Sequence, residues 1–208
     1  MSFKMHTGDL IPLLGYGTYM IDGYENTLKI LDQALAVGYR LFDTAKMYHN
    51  ESEIGRALKQ LLPKHNLQRK DVFITTKLLP SDHGAKAYQA IKESLAKLDC
   101  DYIDLYLIHW PGTYGGSSSK QPQTRAESWR QLIKAQKEGL VKNIGVSNYT
   151  VILKWSLQQG VGVIPKAASK LHMEENFQLD FTLPEEATKT LSNLKKHAKY
   201  DWDPEGVN

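Results

Sequence analysis

One cysteine, Cys100, in 208 residues excludes any disulfide within the chain. Such crosslinks mark oxidising compartments, so a reducing, cytoplasmic setting is expected. No apolar run approaches the ~20 residues of a membrane span, and the amino end lacks the apolar stretch of about 7 to 15 residues of a secretory signal. Charge of one sign is also scarce. The 26 basic and 23 acidic residues leave a formal net charge of +3, spread along the chain, without the concentrated basic face that nucleic acid requires. Neither a membrane nor a nucleic acid is an expected partner; a small molecule is. Internal repeats and low-complexity tracts are absent as well. What remains is a chain with 41% hydrophobic residues, enough to bury one core in a single domain over residues 1–208.

The stretch Asp43 to Glu51 follows a strand-like run, Tyr39 to Phe42, and puts a carboxylate and, five residues on, Tyr48 in one loop. Similar strand ends recur. Phe73 to Thr76 runs into Lys77, Ile103 to Ile108 into His109, and Asn143 to Val146 into Ser147 and Asn148. Asp43, Lys77, His109 and Asn148 are 34, 32 and 39 residues apart, near the ~30 residues of one strand-helix-strand unit. That period puts their side chains on one rim.

In chain order, two short apolar runs around a Gly8-Asp9 turn suggest a hairpin leading into a first strand at Gly15-Tyr16-Gly17-Thr18. Leu28, Leu31, Ala34 and Leu35 mark a helix over Tyr24 to Val37, closed by Gly38. Ile54 to Leu62 mark a second helix, stopped by Pro63, before a strand over Asp71 to Thr76. A helix carrying Tyr88 to Leu98 precedes the near-continuously apolar strand Tyr102 to Ile108, as expected of a strand buried on both faces. The polar loop Gly112 to Lys120 then leads to a helix with Trp129, Leu132 and Ile133 that closes at Gly139. Strand and helix alternate five times, which argues for a parallel α/β fold with the active groups at the carboxyl ends of strands. Periodicity leaves open whether the sheet closes into a barrel.

After Tyr149 the rhythm changes. Val151 to Leu157 reads as helix and Gly162 to Pro165 as strand, so only 18 residues separate Asn148 from Lys166. A last helix is expected from Thr182, with Glu185 completing a capping box around Pro184, through Ala187, Leu191 and Leu194.

Gly15-Tyr16-Gly17-Thr18, Phe42-Asp43-Thr44-Ala45 with Tyr48 and Asn50-Glu51, Thr76-Lys77, Leu107-Ile108-His109-Trp110, Gly145-Val146-Ser147-Asn148 and Ile164-Pro165-Lys166, in this order, resemble the aldo-keto reductases. The resemblance covers nearly the whole chain. It implies a (β/α)8 TIM barrel that binds NADPH and reduces aldehydes and ketones to alcohols. It also implies the roles. A carbonyl that receives a hydride becomes an alkoxide in need of a proton, and Tyr48 is the implied donor. Lys77 favours the phenolate left behind, Asp43 holds Lys77 charged and in place, and His109 orients and polarises the carbonyl.

Each residue alone also fits a structural role: an ion pair for Asp43 and Lys77, a loop cap for Tyr48, a satisfied histidine for His109. All four together at strand ends favour the site. By the same resemblance Gly17, Thr18 and Asp43 approach the cofactor, Ser147 and Asn148 meet the nicotinamide carboxamide, Lys166 meets phosphate, and Asn176 lies near the adenine. His172 stands where relatives place an arginine that clamps the 2'-phosphate, so NADH joins NADPH as a usable cofactor. Tyr19, His49, His109 and Trp110 line the substrate mouth. No metal is expected, and a monomer is.

Relatives carry two further strand-helix units after the position of Asn148, and this chain has none. Against the ~250 residues of a typical barrel, an incomplete barrel of about six strands is expected, with a deletion junction near residues 149–151. The reading is therefore a carbonyl reductase by descent, and its alternative a catalytically impaired, truncated isoform that binds cofactor or another protein.

Overall fold

In the computed structural model the described residues are 2–5, 7–113, 120–147, 150–160, 177 and 179–192. The chain divides into two compact units, residues 1–147 and 148–208.

In the first unit, β1 (Ser2–Lys4) and β2 (Leu10–Pro12) form the expected antiparallel hairpin, with Phe3 opposite Ile11. Five strands then build a parallel sheet in sequential order: β3 (Tyr16–Gly17), β4 (Leu41–Asp43), β5 (Phe73–Leu78), β6 (Ile103–Ile108) and β7 (Val141–Val146). The helices α1 (Tyr24–Val37), α2 (Glu51–Lys64), α3 (Ala87–Leu98) and α4 (Gln121–Lys137) form the crossovers. Among the described residues this is an α/β fold with a partial barrel of five parallel strands. The sixth expected strand, at 162–165, falls outside the described residues.

The helices form where apolar residues recur every three or four positions, and each buries that stripe. Leu31 and Leu35 of α1, Ile54 and Leu61 of α2, Ile91 of α3 and Leu132 of α4 are all fully buried. On the strands, Phe42, Ile74, Tyr106 and Ile108 are buried too. Burying each such aliphatic side chain contributes about 1.5–3 kcal/mol. Gly38 ends α1 as expected: at φ 113° it takes the left-handed form a side chain resists, and its N–H reaches back to the carbonyls of Ala34 and Leu35.

Three boundaries differ from those expected. Pro63 does not stop α2, which continues to Lys64; the loss of one backbone donor in the last turn is tolerated, and the His65 N–H closes the helix on Leu61 and Leu62. The strand placed over Asp71 to Thr76 begins at Phe73, because Arg69–Asp71 curl into a short turn in which the Asp71 carboxylate accepts the Gln68 N–H at 2.7 Å. At its other end β5 runs on to Leu78, so Lys77 lies within the strand rather than just past it.

In the second unit, α5 (Thr150–Gln158) matches the expected helix, and α6 spans Glu185–Ser192. The third boundary is here: α6 starts after Thr182, because the Pro184 carbonyl accepts the first helical bond, from the Thr188 N–H at 3.0 Å. The two helices are tied through the chain between them. The Gln158 side chain accepts the Leu183 N–H at 2.9 Å, the Lys154 ammonium donates to the Leu179 carbonyl at 2.7 Å, and the Trp155 indole faces Ser192 at 3.3 Å. Leu194 lies outside the described residues.

At the amino ends of the parallel strands the hairpin is fastened by Asn143 of β7. Its side chain donates to Asp9 at 2.9 Å and to the Asp104 carbonyl at 3.0 Å, and it accepts from Thr7 at 2.5 Å. Beside it, buried Asp104 accepts from Arg69 at 2.6 Å and from the Ile74 N–H at 2.9 Å. These polar groups tie the hairpin to this end of the sheet, and the opposite end carries the candidate chemistry.

Candidate active site

Strand register decides which side chains can meet. Gly17, Asp43, Thr75, Leu105 and Asn143 stand in one row across the sheet. Residues two apart on a strand share a face. Lys77, two beyond Thr75, His109, four beyond Leu105, and Ser147, four beyond Asn143, therefore continue the face of Gly17 and Asp43 toward the carboxyl ends. The periodic spacing in the sequence is a row of side chains on one face of the fold.

Lys77 is the hub. Its ammonium donates to Asp43 Oδ1 at 2.6 Å, to the Thr44 carbonyl at 2.9 Å and to the Tyr48 hydroxyl at 3.2 Å, which uses all three of its hydrogens. The lysine side chain is 8% exposed and that of Asp43 34%. An ammonium only donates, so the Tyr48 oxygen accepts here and its own hydrogen points away from the lysine. The His109 ring stands edge-on to Tyr48, with centroids 5.8 Å apart. His109 is buried and stacks on Trp110 at 5.5 Å and 28°. Tyr19, 57% exposed, packs its ring 5.1 Å from that of Tyr48.

The loop bearing Tyr48 is shaped by its neighbours Lys46, Asn50 and Glu51. Lys46–Tyr48 form a single tight turn, and exposed His49 leaves it at φ 57°. Asn50, 1% exposed, accepts from Thr44 Oγ1 at 2.7 Å and donates to the carbonyls of Thr18 and Ile21 at 2.8 and 3.1 Å. It clasps the chain around Tyr19 to the chain around Tyr48. Buried Glu51 accepts from Thr76 Oγ1 at 2.7 Å and pins the start of α2 to the strand of Lys77. Lys46 pairs with Asp82 and Glu93, at 2.6 and 2.8 Å. Burial works against its charge, but hydrogen bonds to both carboxylates outweigh it and hold the ammonium above its ordinary range.

Of the remaining expected residues, Thr18 is fully buried, and its N–H and hydroxyl both donate to the Asp43 carbonyl, at 3.0 and 2.9 Å. Ser147 follows β7, its N–H bonded to the Ile108 carbonyl at 2.9 Å. The structure thus brings together Asp43, Tyr48, Lys77, His109, Tyr19 and Trp110, with Gly17, Thr18 and Ser147 on the same rim. Asn148, Lys166, His172 and Asn176 lie outside the described residues.

Among known proteins, residues 13–152 match the Aldo/keto reductase family. Methylglyoxal reductase DkgA of Escherichia coli O157:H7 is 40% identical over 162 residues, which make up 78% of this chain and 54% of that protein. The NADH-dependent D-xylose reductase of Candida parapsilosis is 33% identical over 187 residues, covering 81% of this chain and 57% of that protein. Among solved structures, an aldo/keto reductase from Brucella melitensis superposes with a TM-score of 0.62 at 30% identity, covering 92% of this chain and 98% of that one. The chain spans about half the length of the curated relatives it matches. The family match and the fold agree: this chain belongs to the aldo/keto reductase family.

Proposed function

We propose that this chain is a carbonyl reductase that converts small aldehydes and ketones to alcohols with a reduced nicotinamide dinucleotide. One observation carries the reading. The Tyr48 hydroxyl lies 3.2 Å from an ammonium that is itself 2.6 Å from a carboxylate, and its own hydrogen is left to point elsewhere. A lone ion pair would hold fold elements together, but it has no need of a tyrosine oxygen.

Bound nicotinamide would supply the hydride. The chain's own groups do the rest. Tyr48 gives its proton to the carbonyl oxygen as negative charge develops there, and Lys77 stabilises the phenolate that remains. Asp43 keeps the lysine charged and aimed. His109 holds the carbonyl oxygen beside Tyr48. Tyr19, His49 and Trp110 border the mouth where the substrate enters.

The rim fits a flat nicotinamide at one point in particular. Among the described residues, no atom beyond its two chain neighbours lies within 4 Å of where a side chain would begin at Gly17, so backbone there can be approached closely, next to Asp43. Gly17, Thr18, Asp43, Ser147 and Asn148 are the proposed near contacts, and Lys166, His172 and Asn176 the contacts for phosphate and adenine. NADPH is the proposed cofactor and NADH an accepted substitute, since an imidazole at His172 recognises a 2'-phosphate less strongly than a guanidinium. Support for NADH comes also from the xylose reductase relative, which is named for it.

We read the chain as one barrel domain, monomeric and cytoplasmic, with a deletion junction near residues 149–151. The family match ends at residue 152, next to that junction. Reductase names among the relatives favour the enzyme over a binding module.

The test is NADPH oxidation, followed by its absorbance, with methylglyoxal and D-xylose, the substrates named in the relatives. Turnover that falls about 10²–10⁴-fold in Tyr48→Phe is expected. Folded protein without turnover, or turnover equal in Tyr48→Phe, would overturn the reading.

A further inference from the structure

The turn that carries Tyr48 is fastened on both sides. On one side Asn50 ties it to the chain after β3. On the other, Lys46 reaches Asp82, in the turn Pro80–Asp82 that leaves β5, and Glu93 on α3. The turn that follows it, Gly84–Lys86, is anchored in its own right: the Gly84 N–H donates to buried Ser128 of α4 at 2.8 Å.

Lys77 lies on β5, and Asp82 lies on the loop that β5 runs into. Both lysines therefore locate Tyr48 against the same strand, Lys77 at the hydroxyl and Lys46 at the backbone two residues earlier. We propose that Lys46 is a positioning residue, which through Asp82 and Glu93 fixes the tyrosine hydroxyl relative to Lys77. The proposal rests on the reductase reading above for its kinetic consequence, and on geometry alone for its structural one.

An exposed ion pair does little of this kind. Lys46 differs from one such as Lys59 with Asp99. Its side chain is 16% exposed against 73% for Lys59, and it holds two carboxylates from separate elements rather than one. Three linked charges define a position, where a single flexible pair does not.

The experiment uses the full chain labelled with 3-fluorotyrosine, the Tyr48 ¹⁹F resonance being assigned by its disappearance in Tyr48→Phe. In Lys46→Met the resonance is expected to shift and broaden as the ring loses its single setting. Lys46→Arg, which keeps two-carboxylate pairing, should restore it, and Lys59→Met should leave it as in the parent. Turnover with methylglyoxal and NADPH should fall about tenfold in kcat for Lys46→Met, with KM changed less than about twofold, and recover in Lys46→Arg.

If Lys46→Met fails to fold, Asp82→Asn with Glu93→Gln removes the same contacts and is read in the same way. An unchanged Tyr48 resonance in the folded variant overturns the proposal. The resonance needs no turnover, so a parent protein without activity would defeat the reductase reading while the ¹⁹F result still decides the role of Lys46.

Discussion

Replacing Gly55 by alanine sets two effects of opposite sign against each other. In an open helix the change adds about 1 kcal/mol, because alanine costs less backbone entropy than glycine. At this position the new methyl would stand 2.6 Å from the carbonyl carbon and oxygen of Leu98 and 2.7 Å from the Lys97 oxygen. All three belong to the backbone at the end of α3, so no side chain can swing aside. Restoring a contact of about 3.5 Å requires α2 and α3 to part by about 1 Å, along a seam where Leu58, Leu62 and Leu98 are buried.

Overpacking of this kind costs about 1–3 kcal/mol, and more where rigid atoms meet. All three facing atoms are backbone, so the cost lies at about 2–3 kcal/mol; less the gain of about 1 kcal/mol, net destabilisation of about 1–2 kcal/mol is expected, a fall in Tm of about 2–8 °C for a chain of this size. Thermal and urea unfolding followed by circular dichroism measure it. Gly112→Ala, where an added methyl meets nothing within 4 Å among the described residues, serves as the comparison. A Gly55→Ala protein as stable as the parent, or more so, would refute the packing argument. Because α2 begins at Glu51, directly after the Tyr48 loop, its displacement should also reach the site.

Three further outcomes follow from the buried polar groups. Asp104→Ala leaves the Ile74 N–H without an acceptor and Arg69 without its carboxylate, and should cost about 3–5 kcal/mol in urea unfolding; a loss under about 1 kcal/mol would contradict the role given to it. Asn50→Ala removes all three bonds of the clasp and should lower both stability and turnover, so normal kcat in that variant would count against the clasp. His83 is 7% exposed, and burial first, with the Arg125 cation second, holds its imidazole below the ordinary value of 6.5. As pH falls below 6.5 the unfolded chain takes up a proton that the folded chain refuses, so stability should decline there and level off above it. His83→Gln should weaken that slope, and an identical slope would sink the assignment.

Much of this was legible in the residues because strand ends impose a period. Asp43, Lys77 and His109 recur at one structural unit, and the register puts them on one face as that spacing demands. Tyr48 was legible through its place in a loop beside Asp43 and through the resemblance to the aldo-keto reductases.

The supporting groups were not. Asn50, Lys46 and Glu51 lie in the same short stretch, yet nothing in a sequence separates a buried asparagine that clasps two loops from one in solvent. That difference is made by tertiary partners 25 to 47 positions away. Pro63 misled for a related reason. A proline is a strong local stop, but in the last turn of a helix packed along its whole length the loss of one donor is outweighed. Asp71 acted in the other direction, its carboxylate capping a turn and delaying β5.

The most direct measurement of the central claim follows the hydride itself. The full chain is given NADPH carrying deuterium at the transferring C4 position and methylglyoxal, and the alcohol is examined by mass spectrometry. Deuterium on the new carbinol carbon, its rate of appearance cut about 10²-fold or more in Tyr48→Phe and in Lys77→Met, is the predicted result. Alcohol without deuterium, or labelled alcohol formed equally fast by both variants, would contradict it.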